Sequence, residues 1–249
     1  MRWNHLFLRI LVLSTLLCIV EGLLPTSGFG GTEPEKLQSL VAKIHWLGHA
    51  GFRIDGKDKV IYIDPYRIKG GPLADLILIT HEHADHASPA DVDKIRKPET
   101  VIVTVATAAA KFSGDIRIVK PGDELVVQGL SLRTLPAYNL NKFRSPGVPY
   151  HPREAGHVGF LITVDGLRIY HAGDTDPIPE MEGLSPDVAL LPVSGTYVMT
   201  AEEAVLAASS IGPKVAVPMH VGEGIGTLED AGRFKEKASV PVIVLPIEK

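Results

Sequence analysis

Cysteine is almost missing from this sequence: the one thiol in 249 residues is Cys18. It lies in an apolar run near the N-terminus, outside the body of the chain. Residues 32–249 therefore have no disulfide framework and no thiolate chemistry, so an exported product would depend on its core and on bound metal. A basic block is also lacking. Lys and Arg number 25 against 29 Asp and Glu, a formal net charge of -4, which argues against the electrostatic footprint of a nucleic-acid binder. There is no internal repeat and no low-complexity tract. The longest apolar run, 10–20, falls short of the roughly 20 residues that span a bilayer.

What is present is a globular composition. Hydrophobic residues make up 45% and charged residues 22%, enough for one sizeable core at this length. The 24 glycines and 19 prolines suit many short elements joined by tight turns. The N-terminus stands apart. Arg2 and Arg9 precede the apolar run, and small residues, Thr26-Ser27-Gly28, follow it. This pattern reads as a secretory signal peptide, with an uncleaved membrane anchor as the alternative. Leu17 is not the small residue that a lipoprotein signal places before its cysteine. The expected division is a leader over 1–31 and one domain over 32–249, exported to the periplasm or secreted.

Residues 32–40 read as a polar lead-in. Strands are expected at 43–47, 51–54 and 60–63, the last two joined by an Asp55-Gly56 hairpin signal. Residues 75–80 (DLILIT) form a nearly continuous apolar run, as in a strand buried on both faces. Ser88-Pro89 opens a helix to about Arg96. Further strands are expected at 101–105, 116–119, 124–127, 131–135, 157–164, 167–171, 187–191, 214–218 and 240–245. Helices are expected at 107–112, from Thr200 to Ser210 behind a Thr-x-x-Glu capping box, and at 227–237. Residues 138–156 read as a loop. Two strand-rich halves, each finished by α/β units, give an α/β class with two sheets and helices outside.

The chemistry is concentrated in His81-Glu82-His83-Ala84-Asp85-His86, directly after the DLILI run. Ligand sites in α/β folds lie at such strand ends. Residues two apart in an extended segment point the same way, so His81 and His83 can reach one ion together. Asp85 and His86 lie further on and can reach a second. Imidazole and carboxylate donors suit zinc, iron, manganese or nickel.

His-x-His-x-Asp-His after a hydrophobic strand resembles the signature of the metallo-β-lactamase superfamily. Asp64 in Ile63-Asp64-Pro65 matches the aspartate the superfamily carries before the signature, and Asp174 in His171-Ala172-Gly173-Asp174 and His220 in Pro218-Met219-His220 match the aspartate and histidine after it. Leu47-Gly48-His49-Ala50 and the stretch 191–200 are similar to the branch of zinc-dependent hydrolases related to L-ascorbate-6-phosphate lactonase. The resemblance covers about 43–245. It implies an αββα four-layer sandwich with the metals at the edge of the two sheets. It also implies two divalent cations, zinc first and manganese or iron as alternatives. His81 and His83 would hold one, Asp85, His86 and His220 the other, and Asp174 would bridge them. Asp85 and His220 are the candidate catalytic residues. The third histidine of the first ion is His151 in the long loop, with His157 or no histidine as alternatives. Asn139 stands where many relatives have histidine.

The implied reaction is attack by hydroxide on an ester, lactone or phosphoester of a small molecule. The alternatives are a phosphodiesterase acting on a lipid-like or nucleotide substrate, and a metal-binding protein of the same fold without turnover. A membrane enters only if the leader stays uncleaved. Other histidines carry competing readings. His49 is either near the site or structural, and His171 and His45 are structural. Asp64 orients a ligand, Glu82 belongs to a polar network, and Thr200 caps a helix.

Overall fold

A computed structural model of the protein describes residues 32–222 and 224–248 together with Met1; the leader reading of 1–31 lies outside the described residues. The first half of the domain builds one six-stranded sheet in chain order. Its strands are β1 (Ile44–Gly48), β2 (Gly51–Asp55), β3 (Val60–Ile63), β4 (Ala74–Ile79), β5 (Arg96–Val105) and β6 (Asp115–Val119). β1 to β3 pair antiparallel through tight turns, and β3 to β6 pair parallel. Parallel neighbours need crossovers, and α2 (Pro89–Ile95) and α3 (Ala106–Ala109) supply them between β4, β5 and β6. β4 sits among parallel partners and buries five of its six residues, which explains its unbroken apolar run.

The second half repeats the plan. β7 (Glu124–Val127), β8 (Leu130–Pro136), β11 (Val158–Val164), β12 (Leu167–His171), β13 (Val188–Pro192) and β14 (Val215–Met219) form the second six-stranded sheet, again in chain order. The first four pair antiparallel and the last three parallel. A two-stranded hairpin, β9 (Phe143–Ser145) and β10 (Val148–Pro149), stands apart between β8 and β11. α4 (Ala201–Ile211) lies against β13 and α5 (Leu228–Lys237) against β14. Thr200 caps α4 with the expected box, and Gly212 closes it in the left-handed conformation. Residues from both sheets share one apolar core, with Trp46, Phe52, Tyr62, Phe160 and Tyr170 fully buried.

Three local expectations change. The polar lead-in is a helix, α1 (Glu33–Val41), started by a Thr32–Glu35 capping box that a purely hydrophobic pattern does not reveal. The loop at 138–156 carries the β9–β10 hairpin. Residues 240–245 do not form a strand: Val242 makes only an isolated bridge to Ala216, because Pro241 and Pro246 remove donors the ladder needs.

The parallel strands of each sheet place their C-terminal ends on the same side of the sandwich, where loops converge. One tight spot fixes that edge. A side chain on Gly173 would stand 2.9 Å from the Val158 carbonyl oxygen and 3.5 Å from Thr80 Cβ, and its φ is +68°. Only glycine lets the turn after β12 take this conformation so close to the backbone of β11.

Candidate metal centre

Every signature residue follows the end of a strand. His49 lies in the β1–β2 turn, Asp64 follows β3, His81 to His86 follow β4, Asp174 follows β12 and His220 follows β14. The folded chain brings them to one place. Three sets of ligand atoms each lie within 4.8 Å of one another: His81, His83 and His151; His81, His86 and Asp174; and His49, Asp85, His86 and His220. All seven metal candidates from the sequence are among them, and His49 joins as an eighth.

In the first set, His83 Nδ1 is 3.1 Å from His81 Nε2 and 3.3 Å from His151 Nε2. The outer nitrogens of two of these rings are fixed by hydrogen bonds. His81 Nδ1 donates to Thr80 Oγ1 at 2.9 Å, whose own proton goes to Asp64 Oδ2 at 2.6 Å. His151 Nδ1 donates to Asn139 Oδ1 at 3.0 Å. These tautomers, assigned from the hydrogen-bond network, leave Nε2 of each ring as a bare lone pair facing the other two. Nitrogen atoms at this spacing could share one metal ion. His151, rather than His157, completes this set. Asn139 does not stand in for a histidine. Its Oδ1 also accepts from the His151 backbone N–H at 2.9 Å, and its Nδ2 donates to the Tyr197 carbonyl at 2.9 Å. It is a positioning residue for His151.

In the third set, His86 Nδ1 donates to Asp64 Oδ2 at 2.8 Å, which turns Nε2 inward. Asp64 is fully buried and takes the Thr80 backbone N–H on its other oxygen at 2.8 Å. One carboxylate therefore orients a ring in both the first and the third set. His220 Nδ1 lies 3.1 Å from Ser194 Oγ and its Nε2 3.1 Å from Asp174 Oδ2. His49 Nε2 is 3.5 Å from Asp85 Oδ2. The His49 carbonyl accepts both the Trp46 indole N–H at 2.9 Å and the His220 backbone N–H at 2.8 Å. His49, Asp64, Tyr197 and His220 are four of the eight described non-glycine residues with positive φ. Backbone strain is thus collected at this site, as at other functional centres.

Asp174, in the second set, lies between the first and the third. Its oxygens are 3.1 Å from His220 Nε2, 3.4 Å from His86 Nε2, 3.5 Å from His151 Nε2 and 4.0 Å from His81 Nε2. Burial disfavours its charge, but His220 and His86 outweigh burial and hold it well below the usual carboxylate range. Burial also lowers His86, yet Asp174 and Asp64 raise that ring well above its ordinary value. Three other rings are pushed the opposite way. Burial pushes His49 down to about 3, with His220 and His86 adding to it. Burial likewise takes His151 down to about 4 and His81 well below 6.5. Among the described residues, the buried atoms without an aligned hydrogen-bond partner include both ring nitrogens of His49, His86 Nε2 and Asp174 Oδ1, and also both ring nitrogens of the neighbouring His157. Buried polar atoms left in this state are costly. Divalent cations fit this donor array of imidazoles and carboxylates.

The remaining candidates have other roles. His157 Nε2 turns away to Glu82 Oε2 at 3.0 Å, and Glu82 also accepts from Thr107 at 2.8 Å. His171 Nε2 donates to the Ala50 carbonyl at 2.9 Å, tying β12 to the first sheet. His45 sits between Asp55 and Glu248. Sequence reasoning missed Ser194 and Thr80, polar residues just after or at the end of buried strands, and it did not foresee the part Asn139 plays in holding His151. It also passed over Arg144 and Tyr150. With His83, Asp85, His151, Asp174 and Tyr197 these line a cleft of about 340 Å³ that opens onto the centre, a volume suited to a small molecule.

Comparison with known proteins agrees with this geometry. The model of the Beta-lactamase superfamily domain matches residues 43–220. A UPF0173 metal-dependent hydrolase of Thermoplasma acidophilum is 35% identical over 231 residues, covering 83% of this chain and 98% of that protein. Another, from Methanoculleus marisnigri, is 35% identical over 184 residues, covering 72% and 80%. The crystal structure of a protein from Parabacteroides distasonis, assigned as a metal-dependent hydrolase, superimposes with a TM-score of 0.71 at 33% identity, covering 82% of this chain and 93% of that one. A metallo hydrolase of the archaeon Ignicoccus hospitalis gives a TM-score of 0.65 at 25% identity, covering 83% and 95%. With its two-sheet fold, its converging histidines and these relatives, the chain belongs to the β-lactamase superfamily and is one of its metal-dependent hydrolases.

Proposed function

We propose that the protein hydrolyses an ester, lactone or phosphoester of a small molecule at a pair of divalent cations, zinc first. The observation that carries this reading is Asp174, whose two oxygens face histidines of both sets. His81, His83 and His151 would hold one ion, and Asp85, His86 and His220, with His49 beside them, the other. Ions so placed lower the pKa of water toward about 7 and polarise the bond to be cleaved.

The chain's own residues supply the rest. Asp64, Thr80, Asn139 and Ser194 fix ring orientations before substrate arrives, so no reorganisation is needed during reaction. Asp85 is the carboxylate of the cluster that keeps solvent access, with its side chain 30% exposed. It accepts the proton of the attacking water and delivers it to the leaving oxygen, which exits through the cleft. The small cleft favours an ester or lactone over a nucleotide or lipid-like phosphodiester. The acidic balance of the chain speaks against nucleic acid. We further propose that residues 1–31 direct export, on the strength of their charged start and apolar centre.

Two measurements test this. Metal analysis of purified protein should return about two ions per chain. A chromogenic panel of esters, lactones and phosphodiesters should show turnover, strongest with the first two. Two bound ions and no turnover under zinc, manganese or iron would leave the non-catalytic alternative standing. Cell fractionation tests export, and an unprocessed cytoplasmic product sinks it.

A further inference from the structure

We infer that the substrate carries an oxyanion group, a carboxylate or a phosphate, that is held by Arg144 while its scissile bond lies at the metal pair. This rests on the hydrolase reading above and deepens it. Arg144 is the cationic side chain among the cleft-lining residues. It is carried by β9, in the hairpin that stands apart from both sheets. Neighbouring cations on this side are already neutralised. Lys142 pairs with Glu203 at 2.6 Å and Asp176 at 3.3 Å, and Arg153 pairs with Glu180 at 2.7 Å. No carboxylate of the described residues pairs with Arg144.

The guanidinium is nevertheless held in place. Nη2 donates to the Tyr150 carbonyl at 3.0 Å, and Cζ stands 5.9 Å from the Tyr150 ring centre. That anchoring uses one of five N–H donors and leaves the planar fork for a ligand, the geometry that binds carboxylate or phosphate through two parallel hydrogen bonds. The adjoining wall is fixed too. Tyr150 meets Tyr197 edge to face at 4.6 Å. Tyr197 is held at φ +66°, a strained conformation for an aromatic residue, with its carbonyl bound to Asn139. The same asparagine that aims His151 therefore sets the wall opposite the metals. A ligand filling about 340 Å³ reaches Arg144 and the histidines together only if it is short and charged at one end.

The test uses zinc-loaded full-length protein and two esters of one leaving group, 4-nitrophenyl acetate and mono-4-nitrophenyl succinate. Wild type should favour the charged ester about tenfold or more in kcat/KM, through KM, the size of one charge-assisted interaction. Arg144→Ala should bring that ratio close to one, and Arg144→Lys should fall between. Arg117→Ala removes an exposed arginine of β6 paired with Asp115 and should leave the ratio as in wild type. A wild type without preference, or an Arg144→Ala ratio equal to wild type, overturns the inference. If neither ester is cleaved, the ester reading fails, and binding decides about Arg144. Benzoate and phenylphosphonate should raise the melting temperature of wild type and raise it less in Arg144→Ala. The stronger of the two identifies the anion, and equal shifts in both proteins overturn the inference.

Discussion

The two halves of the metal centre are built differently. His86, His220 and His49 are fully or nearly buried; His220 directly follows β14, His49 lies in the β1–β2 turn and His86 in the short β4–α2 connection. Their partners, Asp64, Ser194 and the backbone, belong to the same framework. The first half takes His151 from a long segment outside both sheets, and that ring is aimed by one amide, Asn139. The second half is thus set by the fold itself, and the first by a loop that a single side chain holds in place. In such an arrangement the loop half is where metal affinity and substrate choice can vary without disturbing the core.

Removing the shared carboxylate should abolish the contrast. Asp174→Ala is expected to empty both halves and cost about a thousandfold or more in kcat/KM, checked by metal analysis beside ester kinetics. Retention of both ions would dismiss the bridging role. Asp64→Ala comes next, because it supports one ring on each side. Metal affinity should fall about 10- to 100-fold in both halves, with several kcal/mol of stability lost as Thr80 and His86 lose a buried acceptor, on the order seen for broken buried pairs. Asn139→Leu should separate the halves. The first ion weakens about 10- to 100-fold while the second stays, so titration shows one tight and one loose site. Equal weakening of both would break the comparison drawn above.

Acid should act on the same rings. Unfolded histidines protonate near pH 6.5, whereas in the fold His151 does so near 4 and His49 near 3. Between these values the unfolded chain binds more protons, so metal-free protein loses stability as pH falls from about 6.5 to about 4. His86, raised by Asp174 and Asp64, works oppositely; its contribution persists in acid and is lost as pH rises. The depressed rings outnumber it. Thermal melts should therefore drop by several degrees between pH 7 and pH 5, and more steeply when zinc must compete with protons. Thr200→Ala gives the smallest effect, about 1 kcal/mol from the lost α4 cap. Metal content should not change, because that helix end lies outside both halves.

Much of this was legible in the sequence. The six residues from His81 to His86 announced a metal site because their spacing alone lets ligands share ions. Asp64, Asp174 and His220 were found as matches to family motifs at strand ends. The order of short strands gave two sheets because each half switches from tight turns to helical crossovers. His49 was harder, since a lone histidine after glycine has no pattern; its place depends on the first turn of one sheet meeting the last strand of the other. The part Asn139 plays was out of reach, because sequence position says which loop a residue is on, while its hydrogen bonds say which ring it serves. Arg144 looked like one more charged loop residue. Its meaning comes from its neighbours' pairing, a three-dimensional fact. The stretch 240–245 is apolar enough for a strand, but Pro241 within it and Pro246 just beyond it interrupt the ladder.

The hydrogen bond from His220 N–H to the His49 carbonyl also gives the molecule a clock. During synthesis His49 leaves the ribosome early, and the first ligand triad is complete once His151 has followed. The second waits for His220, after the last strand. A growing or truncated chain can thus present one imidazole cluster yet never the pair, so hydrolytic power arrives only with the finished domain.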